Sequence, residues 1–156
     1  MNPKANIETS HGTIVVELWS DKAPRHVENF SKLAGDGFYD DLIFHRVIPG
    51  FMVQTGCPQG TGTGGPGWNV DAEFNDADFV KGTLGMARSS DPNSAGSQFF
   101  IMVDHSAHLN GQYTAFGTVL SGQDVADAIA GVARDGSDRP REDVKMAKVT
   151  IEQGEG

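Results

Sequence analysis

Cysteine, basic residues and long apolar segments are all scarce in this sequence of 156 residues. The single cysteine, Cys57, excludes an intrachain disulfide bond. No window reaches the roughly 18 consecutive apolar residues that a membrane-spanning helix needs. The N-terminal segment MNPKANIETSHG also lacks the apolar core of a signal peptide. We therefore expect a cytoplasmic protein that does not interact with membranes.

Positive charge is in short supply, with 12 Lys and Arg against 21 Asp and Glu and a formal net charge of −9. A chain this acidic repels phosphate backbones, which argues against nucleic acid as a partner. Hydrophobic residues make up 38% and charged residues 21%, a composition typical of globular proteins. The length predicts a single domain over residues 1–156, which we expect to be monomeric.

Most of the chain has the pattern of short β-strands. Residues 6–19 predict two strands around a Ser-His-Gly turn, and strands are also predicted at 42–48, 51–55, 81–87, 97–103, 114–120 and 144–153. Pro49-Gly50 fits the centre of a type II turn between two of them. In the last strand, Ala147, Val149 and Ile151 are expected to share one face.

Two segments have the pattern of helices. Residues 23–37 place Val27, Phe30, Leu33 and Ala34 on one face at helical spacing, with Pro24 in the first turn and Gly35 at the end. Residues 121–132 predict a second helix, in which Ser121 and Asp124 resemble a capping box. Many short strands with two helices indicate an antiparallel barrel or sandwich.

Several familiar kinds of site are disfavoured. Gly60, Gly62 and Gly65 match the glycine spacing of a dinucleotide fingerprint, but no helix pattern follows them. His105 and His108 lie close together without a third metal ligand nearby, and Cys57 has no evident catalytic base. We expect neither a metal nor another cofactor.

The segment FHRVIPGFMVQ, residues 44–54, raises a specific question. It places Arg46 among Phe, Val, Ile and Met side chains with no acidic residue in the run. Charged side chains are rarely buried without a partner, so this arginine needs either a structural or a functional explanation.

Together with GTLGMAR (82–88), GSQFFI (96–101) and AFG (115–117), this segment resembles the cyclophilins, which are peptidyl-prolyl cis/trans isomerases. The resemblance covers roughly residues 5–152 and is closest to short, single-domain members of bacterial or archaeal type. It implies a mainly β fold, a closed eight-stranded antiparallel β-barrel capped by two α-helices. It also implies isomerisation of X-Pro peptide bonds during protein folding, with proline-containing peptides and unfolded proteins as partners.

The resemblance implies roles for particular residues. Arg46 matches the catalytic arginine, and Gln54 matches the glutamine that positions it. The residues that match the proline pocket are Phe51, Met52, Phe100 and Leu109. The wall that pairs with the substrate main chain is matched by Ala87, the backbone of Arg88 and Gln98. Gly62 matches a position in the neighbouring subsite, and His108 and Tyr113 match the pocket rim.

Three of these positions depart from the commonest family pattern. Many eukaryotic members have tryptophan in place of His108 and histidine in place of Tyr113, and the family's asparagine is Arg88 here. These changes affect the rim of the pocket and not Arg46. We therefore expect cyclosporin-type cyclic peptides to bind with reduced affinity.

The expected chemistry follows from the peptide bond. Rotation about it interrupts the C–N conjugation, at a cost of roughly 18–20 kcal/mol. The twisted nitrogen becomes a hydrogen-bond acceptor, so a guanidinium aimed at it stabilises the transition state selectively. The alternative is a non-catalytic proline-peptide binding module or holdase that uses the same groove. A two-residue hairpin at Pro49-Gly50 would pair Arg46 with Val53 and separate it from Gln54, so the register must be offset or one strand bulged.

Overall fold

The computed structural model describes residues 2–60 and 64–152, which fold around one antiparallel β-sheet. The strands β1 to β9 span, in chain order, Lys4–Thr9, Gly12–Leu18, Leu42–Ile43, Arg46–Ile48, Met52–Thr55, Thr83–Met86, Phe99–Met102, Ala115–Ser121 and Lys145–Glu152. Helices α1 and α2 span Pro24–Gly35 and Gln123–Ala130, and a 3₁₀ turn covers Ala107–Leu109. The order of the strands across the sheet is β3-β9-β1-β2-β8-β6-β7-β5-β4.

The mainly β architecture with two helices agrees with the expectation from the sequence, but the strand count differs. Within the described residues the sheet has nine strands instead of eight, and its ladders run from β3 to β4 without a ladder between those two. The difference arises at Phe44 and His45, where the expected strand 42–48 is interrupted. One half pairs with β9 and the other with β5, so the two halves lie at opposite ends of the strand order.

The main hydrophobic core lies between the inner face of the sheet and the two helices. Val53, Ile101 and Leu84 pair in one row across β5, β7 and β6, and all three are fully buried. From α1, Phe30 meets Phe99 edge-on with ring centroids 5.2 Å apart. The predicted apolar face of α1 is confirmed, because its four residues are all buried. Each large buried side chain stabilises the fold by about 1.5–3 kcal/mol.

A second apolar cluster lies on the outer face of the same strands. Side chains alternate along a strand, so the neighbours of the inner row point outward. This outer cluster consists of Met52, Phe79, Phe100, Met102, Leu109 and Ala115, with Phe51, Ala87 and Tyr113 packed partly against it. The six residues are buried, so the cluster is a second, smaller core on this face, and only residues at its margin such as Phe51 and Tyr113 are partly exposed.

Two local predictions from the sequence are wrong. In β9 the side chain of Ala147 is exposed and Met146 is buried, because the β1–β9 register shifts after Glu8 and leaves Ala147 without a paired residue. The capping box predicted for α2 from Ser121 and Asp124 is absent. The N-cap is Gly122, at φ 88°, and no side chain caps the helix.

The outer edge of β4 is covered by the loop 133–141. The backbone N–H of Val47 donates to the carbonyl of Asp138 at 2.7 Å. The loop is held in shape by Asp135, whose carboxylate accepts the backbone N–H groups of Ser137 and Arg139. Arg139 in turn donates through Nη1 to the carbonyl of Gly60 at 2.7 Å. No helix within residues 2–60 and 64–152 has the length and hydrophobicity to cross a membrane.

Candidate active site

One row of paired residues crosses the outer face of five neighbouring strands. Arg46 pairs with Gln54, Gln54 with Phe100, Phe100 with Gly85, and Gly85 with Ala115. Residues paired across strands share a face of the sheet. The sheet therefore places the two predicted catalytic residues and one predicted pocket residue side by side.

The turn between β4 and β5 explains why Arg46 faces Gln54. The predicted type II geometry fits, since Phe51 N–H donates to Ile48 O at 3.1 Å and Gly50 has φ 74°. The ladder, however, closes at Ile48 and Met52, so the loop has three residues instead of two. The expected conflict between turn and register is thereby resolved without a bulge in either strand.

A small cavity of about 140 Å³ opens beside this row. Its lining consists of Arg46, Phe51, Met52, Gln54, Ala87, Arg88, Phe100, Leu109 and Tyr113. All four residues predicted to hold a proline ring are therefore together, next to both predicted catalytic residues. The outer cluster forms the floor of the cavity, and the polar groups lie at its margin.

The ring of Phe100 is held in position from three directions. It stacks on Phe79 at a centroid distance of 5.8 Å and meets Tyr113 edge-on at 5.8 Å. Beneath it lies Gly85, where an added Cβ would come within 2.6 Å of Phe79 Cε1 and still closer to Phe100. The absence of a side chain at Gly85 therefore allows both rings to lie against the sheet.

A second, larger cavity of about 720 Å³ continues from the first. The two share Gln54, Ala87 and Arg88. The remaining lining residues of the larger cavity are Gly64, Gly65, Pro66, Gly67, Trp68, Asn69, Ser89, Ser94, Gly96, Ser97 and Gln98. Gly62, predicted to line a neighbouring subsite, lies outside the described residues.

Gln54 is engaged by Gln98 and not by Arg46. Its Nε2 donates to Oε1 of Gln98 at 3.0 Å, and Nε2 of Gln98 donates to the carbonyl of Gly64 at 2.9 Å. This chain of amides links the row to the glycine loop. The resemblance implies that Gln54 positions the guanidinium, but no hydrogen bond joins the two side chains, although the residues are directly opposite in the ladder.

The guanidinium of Arg46 makes no hydrogen bond or ion pair with the other described residues (2–60 and 64–152), and the side chain is exposed at the edge of the small cavity. The sequence had suggested a more enclosed arginine. The strand alternation accounts for the difference, because Val47 faces the core and Arg46 faces out. Its donors are therefore available to a group placed in the cavity.

The backbone at Ala87 and Arg88 is partly available for pairing. The N–H of Ala87 donates to the carbonyl of Gln98 at 3.0 Å. Within the described residues, the carbonyl of Ala87 and the backbone N–H and carbonyl of Arg88 have no backbone partner. These groups lie between the two cavities, as expected of a wall that pairs with an extended peptide.

The predicted rim residues lie at the margin of the small cavity. His108 is exposed on the 3₁₀ turn, and its ring lies 6.2 Å from that of Phe51. Leu109 follows it and turns into the cavity lining. Tyr113 lies under the guanidinium of Arg88, whose central carbon is 4.6 Å from the ring centroid.

His45, next to Arg46, is buried and faces away from the cavity lining. Burial, with further contributions from the charges of Arg139 and Arg46, lowers its pKa to about 4. Burial likewise lowers the pKa of His26, although Glu73 accepts a hydrogen bond at 2.7 Å from its ring. Both histidines are therefore neutral at pH 7, and neither is placed to exchange protons with the cavity.

Two residues of the site were missed by sequence reasoning. Trp68 lines the larger cavity, and its Nε1 donates to Oδ1 of Asn29 on α1 at 2.8 Å. Nδ2 of Asn29 donates to the carbonyl of Gly96 on the adjoining segment at 2.7 Å. A lone exposed tryptophan after a glycine loop was the available signal. In the described part of the chain, no cluster of three His, Cys, Asp or Glu side chains is arranged to hold a metal ion.

Comparison with known proteins agrees with this geometry. The family model described as cyclophilin type peptidyl-prolyl cis-trans isomerase matches residues 4–151. A peptidyl-prolyl cis-trans isomerase of Synechococcus elongatus is 54% identical over 114 residues, covering 73% of this chain and 78% of that protein. Peptidyl-prolyl cis-trans isomerase B of Bacillus subtilis is 51% identical over 115 residues, covering 72% and 80%.

The fold has equally similar counterparts among solved structures. A cyclophilin-type peptidyl-prolyl cis-trans isomerase of Cryptosporidium parvum superposes with a TM-score of 0.94 at 31% identity, covering 99% of this chain and 100% of the other. The same isomerase solved in the presence of the dipeptide Ala-Pro gives a TM-score of 0.92 at 33% identity, covering 97% and 99%. The chain belongs to the cyclophilin-type peptidyl-prolyl cis-trans isomerases, and its activity is isomerisation of the bond preceding proline.

Proposed function

We propose that Arg46 is the catalytic group and that the small cavity holds the proline ring of the substrate. The observation that supports this most directly is the cross-strand row, in which Arg46 and Gln54 flank an apolar cavity of about 140 Å³. The cavity walls are apolar and suit an aliphatic ring. The guanidinium at the margin suits a polar group just outside that ring.

The mechanism is selective stabilisation of the twisted peptide bond. In the planar amide, the nitrogen lone pair is delocalised and accepts no hydrogen bond; in the twisted bond it accepts one. Arg46 donates to that nitrogen, so the contact forms only as the transition state is reached. A charge-assisted hydrogen bond contributes about 1.5–3 kcal/mol, which corresponds to about 10- to 150-fold in rate.

Gln54 acts as a positioning residue in this mechanism. Its Nε2 is held by Gln98, so Oε1 is the acceptor that remains for Arg46, the residue opposite in the ladder. When the guanidinium moves toward the substrate nitrogen, a second N–H of Arg46 donates to Oε1 of Gln54. The rest of the rate increase comes from the small cavity, which holds the proline ring in place while the preceding carbonyl group rotates.

The partners are proline-containing peptides and unfolded proteins, lying across both cavities along the backbone of Ala87 and Arg88. Cyclosporin-type cyclic peptides bind the same groove with reduced affinity, because His108 offers less surface than tryptophan. The protein works as a cytoplasmic monomer. We also propose that the sheet closes into an eight-stranded barrel; this is supported by β3 and β4, which lie at the two ends of the strand order and are separated in the chain only by Phe44 and His45.

The test compares rate and affinity on one X-Pro peptide by NMR exchange spectroscopy. We expect Arg46→Ala to lower kcat/KM by about 10- to 150-fold while the equilibrium Kd changes much less. Arg46→Lys is also impaired, because lysine lacks the planar fork. Arg141→Ala, which removes another exposed arginine, is the matched control and retains wild-type rates.

Two further measurements separate this mechanism from others. The rate is flat between about pH 6 and about pH 9, because no step of the mechanism transfers a proton. Chelators and Cys57→Ser leave most of the activity in place. If Arg46→Ala isomerises the peptide at the wild-type rate, the assignment is wrong. If rate and affinity fall equally, Arg46 binds the planar substrate and a holding function for the groove is supported.

A further inference from the structure

The groove has a different charge from the rest of the molecule. The chain has 21 acidic and 12 basic residues, yet the lining of the two adjoining cavities includes Arg46 and Arg88 and no described acidic residue. The neighbouring segment 61–63, Thr-Gly-Thr, has no charged side chain either. A positive groove on a negative protein attracts negatively charged ligands locally while the remaining surface repels them.

Arg88 is held rigidly where the two cavities meet. Its Nε and Nη2 donate to the carbonyl of Gln112 at 3.1 and 2.7 Å, and its Nη1 donates to the carbonyl of Ser89 at 2.8 Å. The guanidinium also lies over the ring of Tyr113 at 4.6 Å. Rigid placement means that little side-chain entropy is lost when a ligand binds.

The donors that remain on Arg88 are suited to a carboxylate. A guanidinium has five N–H groups, and three of them are used by the two carbonyls. One N–H is left on each terminal nitrogen. The two carbonyl groups are uncharged, and no ion pair forms between Arg88 and the other described residues.

We propose that the side chain of Arg88 makes the enzyme prefer substrates with Asp or Glu beside the isomerised proline. The inference rests on the proposed seating of the proline ring in the small cavity. Because Arg88 lines both cavities, it faces the substrate residues that extend from the small cavity into the larger one. The preference is therefore confined to one side of the proline. It is distinct from the catalytic contact of Arg46.

The preference is modest in size. Arg88 is partly exposed, so solvent weakens its attraction for a carboxylate. Rigid placement and charge-assisted hydrogen bonding act in the opposite direction. Together they predict an advantage of about 3- to 10-fold in kcat/KM for a peptide with Glu over the same peptide with Gln.

The experiment measures that ratio in a peptide series around one central Ala-Pro bond. Glu or Gln is placed at each of the two positions before the alanine and the two positions after the proline. Catalysed exchange is measured by NMR, with the uncatalysed rate of each peptide subtracted. For wild type we expect a Glu/Gln ratio of about 3 to 10 on one side of the proline only. In Arg88→Gln the ratio falls to about 1 or below, and in Arg88→Glu it inverts.

Ratios within one variant cancel any general loss of activity, and Arg141→Gln controls for the change in net charge. Salt gives an independent readout on wild type: raising ionic strength from about 0.01 M to about 1 M reduces the ratio toward 1. A ratio near 1 in wild type, equal ratios on both sides, or a ratio retained in Arg88→Gln overturns the proposal. Absence of any catalysis on the Gln peptides by wild type would instead refute the proposed function.

Discussion

Asn29 on α1 joins two adjoining segments of the larger cavity's lining, accepting a hydrogen bond from Trp68 Nε1 at 2.8 Å and donating one to Gly96 O at 2.7 Å. Its amide group is nearly buried and both ends are used. The two segments also bond directly, since Val70 N–H donates to Ala95 O at 2.7 Å, so Asn29 reinforces this part of the groove from a helix outside its lining.

Replacing this amide tests that reinforcement. In Asn29→Ala, both partners lose a hydrogen bond, which costs about 1–3 kcal/mol of unfolding free energy. We expect KM to rise for peptides long enough to enter the larger cavity and kcat to change little. Trp68→Phe keeps the ring and removes only the N–H, so a double-mutant cycle measures the Asn29–Trp68 coupling. Additive effects on stability and KM would contradict it.

A methyl group at Gly85 disturbs the floor of the small cavity. The added Cβ would collide with Phe79 and Phe100, whose rings are fixed by packing. We expect Gly85→Ala to lower the free energy of unfolding by about 1–3 kcal/mol and to raise KM. Gly35→Ala is the matched control, because nothing lies within 4 Å of the added atom. An unchanged KM in a folded Gly85→Ala variant would show that the ring position is unimportant.

The stability of the protein should fall as the pH drops below about 6.5. The pKa of His45 is about 4 in the folded state, against an ordinary value of 6.5. The unfolded chain therefore binds a proton that the folded chain does not. Stability from this group is complete above pH 6.5 and declines as pH falls toward about 4, by up to about 1.4 kcal/mol per pH unit.

Urea unfolding across that pH range measures the effect. Burial lowers the pKa of His26 as well, so both histidines contribute to the slope. His45→Gln reduces the slope by up to one proton, and His11→Gln, which removes an exposed imidazole, is the control variant. The hypothesis fails if His45→Gln keeps the full pH dependence.

A larger rim residue should strengthen binding of cyclosporin. His108 is exposed beside Phe51, so tryptophan at this position would extend the apolar margin of the cavity. An extra 40–50 Å² of buried apolar area, at about 25 cal/mol per Å², corresponds to about 1 kcal/mol, or about fivefold in Kd. Calorimetry on His108→Trp, with His11→Trp as control, tests this. No gain over the control would place His108 outside the bound surface.

The parts that the sequence predicted well depend on neighbours along the chain. The apolar face of α1 and the turn at Pro49-Gly50 follow from helical spacing and from the backbone preferences of proline and glycine. The exclusion of Ala147 from the core could not be predicted in this way, because it depends on how β9 aligns with a strand about 140 residues earlier. The role of Asn29 was not predictable for the same reason, since its two hydrogen-bond partners are 39 and 67 residues away.

Most of the predicted site residues line the two adjoining cavities, but their contacts were not predictable. Arg46 and Gln54 are opposite in the ladder only because the loop takes in Phe51 as a third residue. The amide of Gln54 pairs with Gln98, which immediately precedes β7 and competes with the guanidinium for this amide. Motifs identify which side chains meet; competition among nearby donors and acceptors decides which of them bond.

The loop that covers β4 has a consequence for how copies of this protein behave in a crowded solution. β4 is the outermost strand at one end of the ladder, and such a strand usually offers free amides on which a foreign strand can assemble. Here the Val47 amide is already bonded to Asp138, in a loop braced by Asp135. The strand that carries Arg46 is thereby protected from pairing with a foreign strand, which removes an open sheet edge that could otherwise seed aggregation.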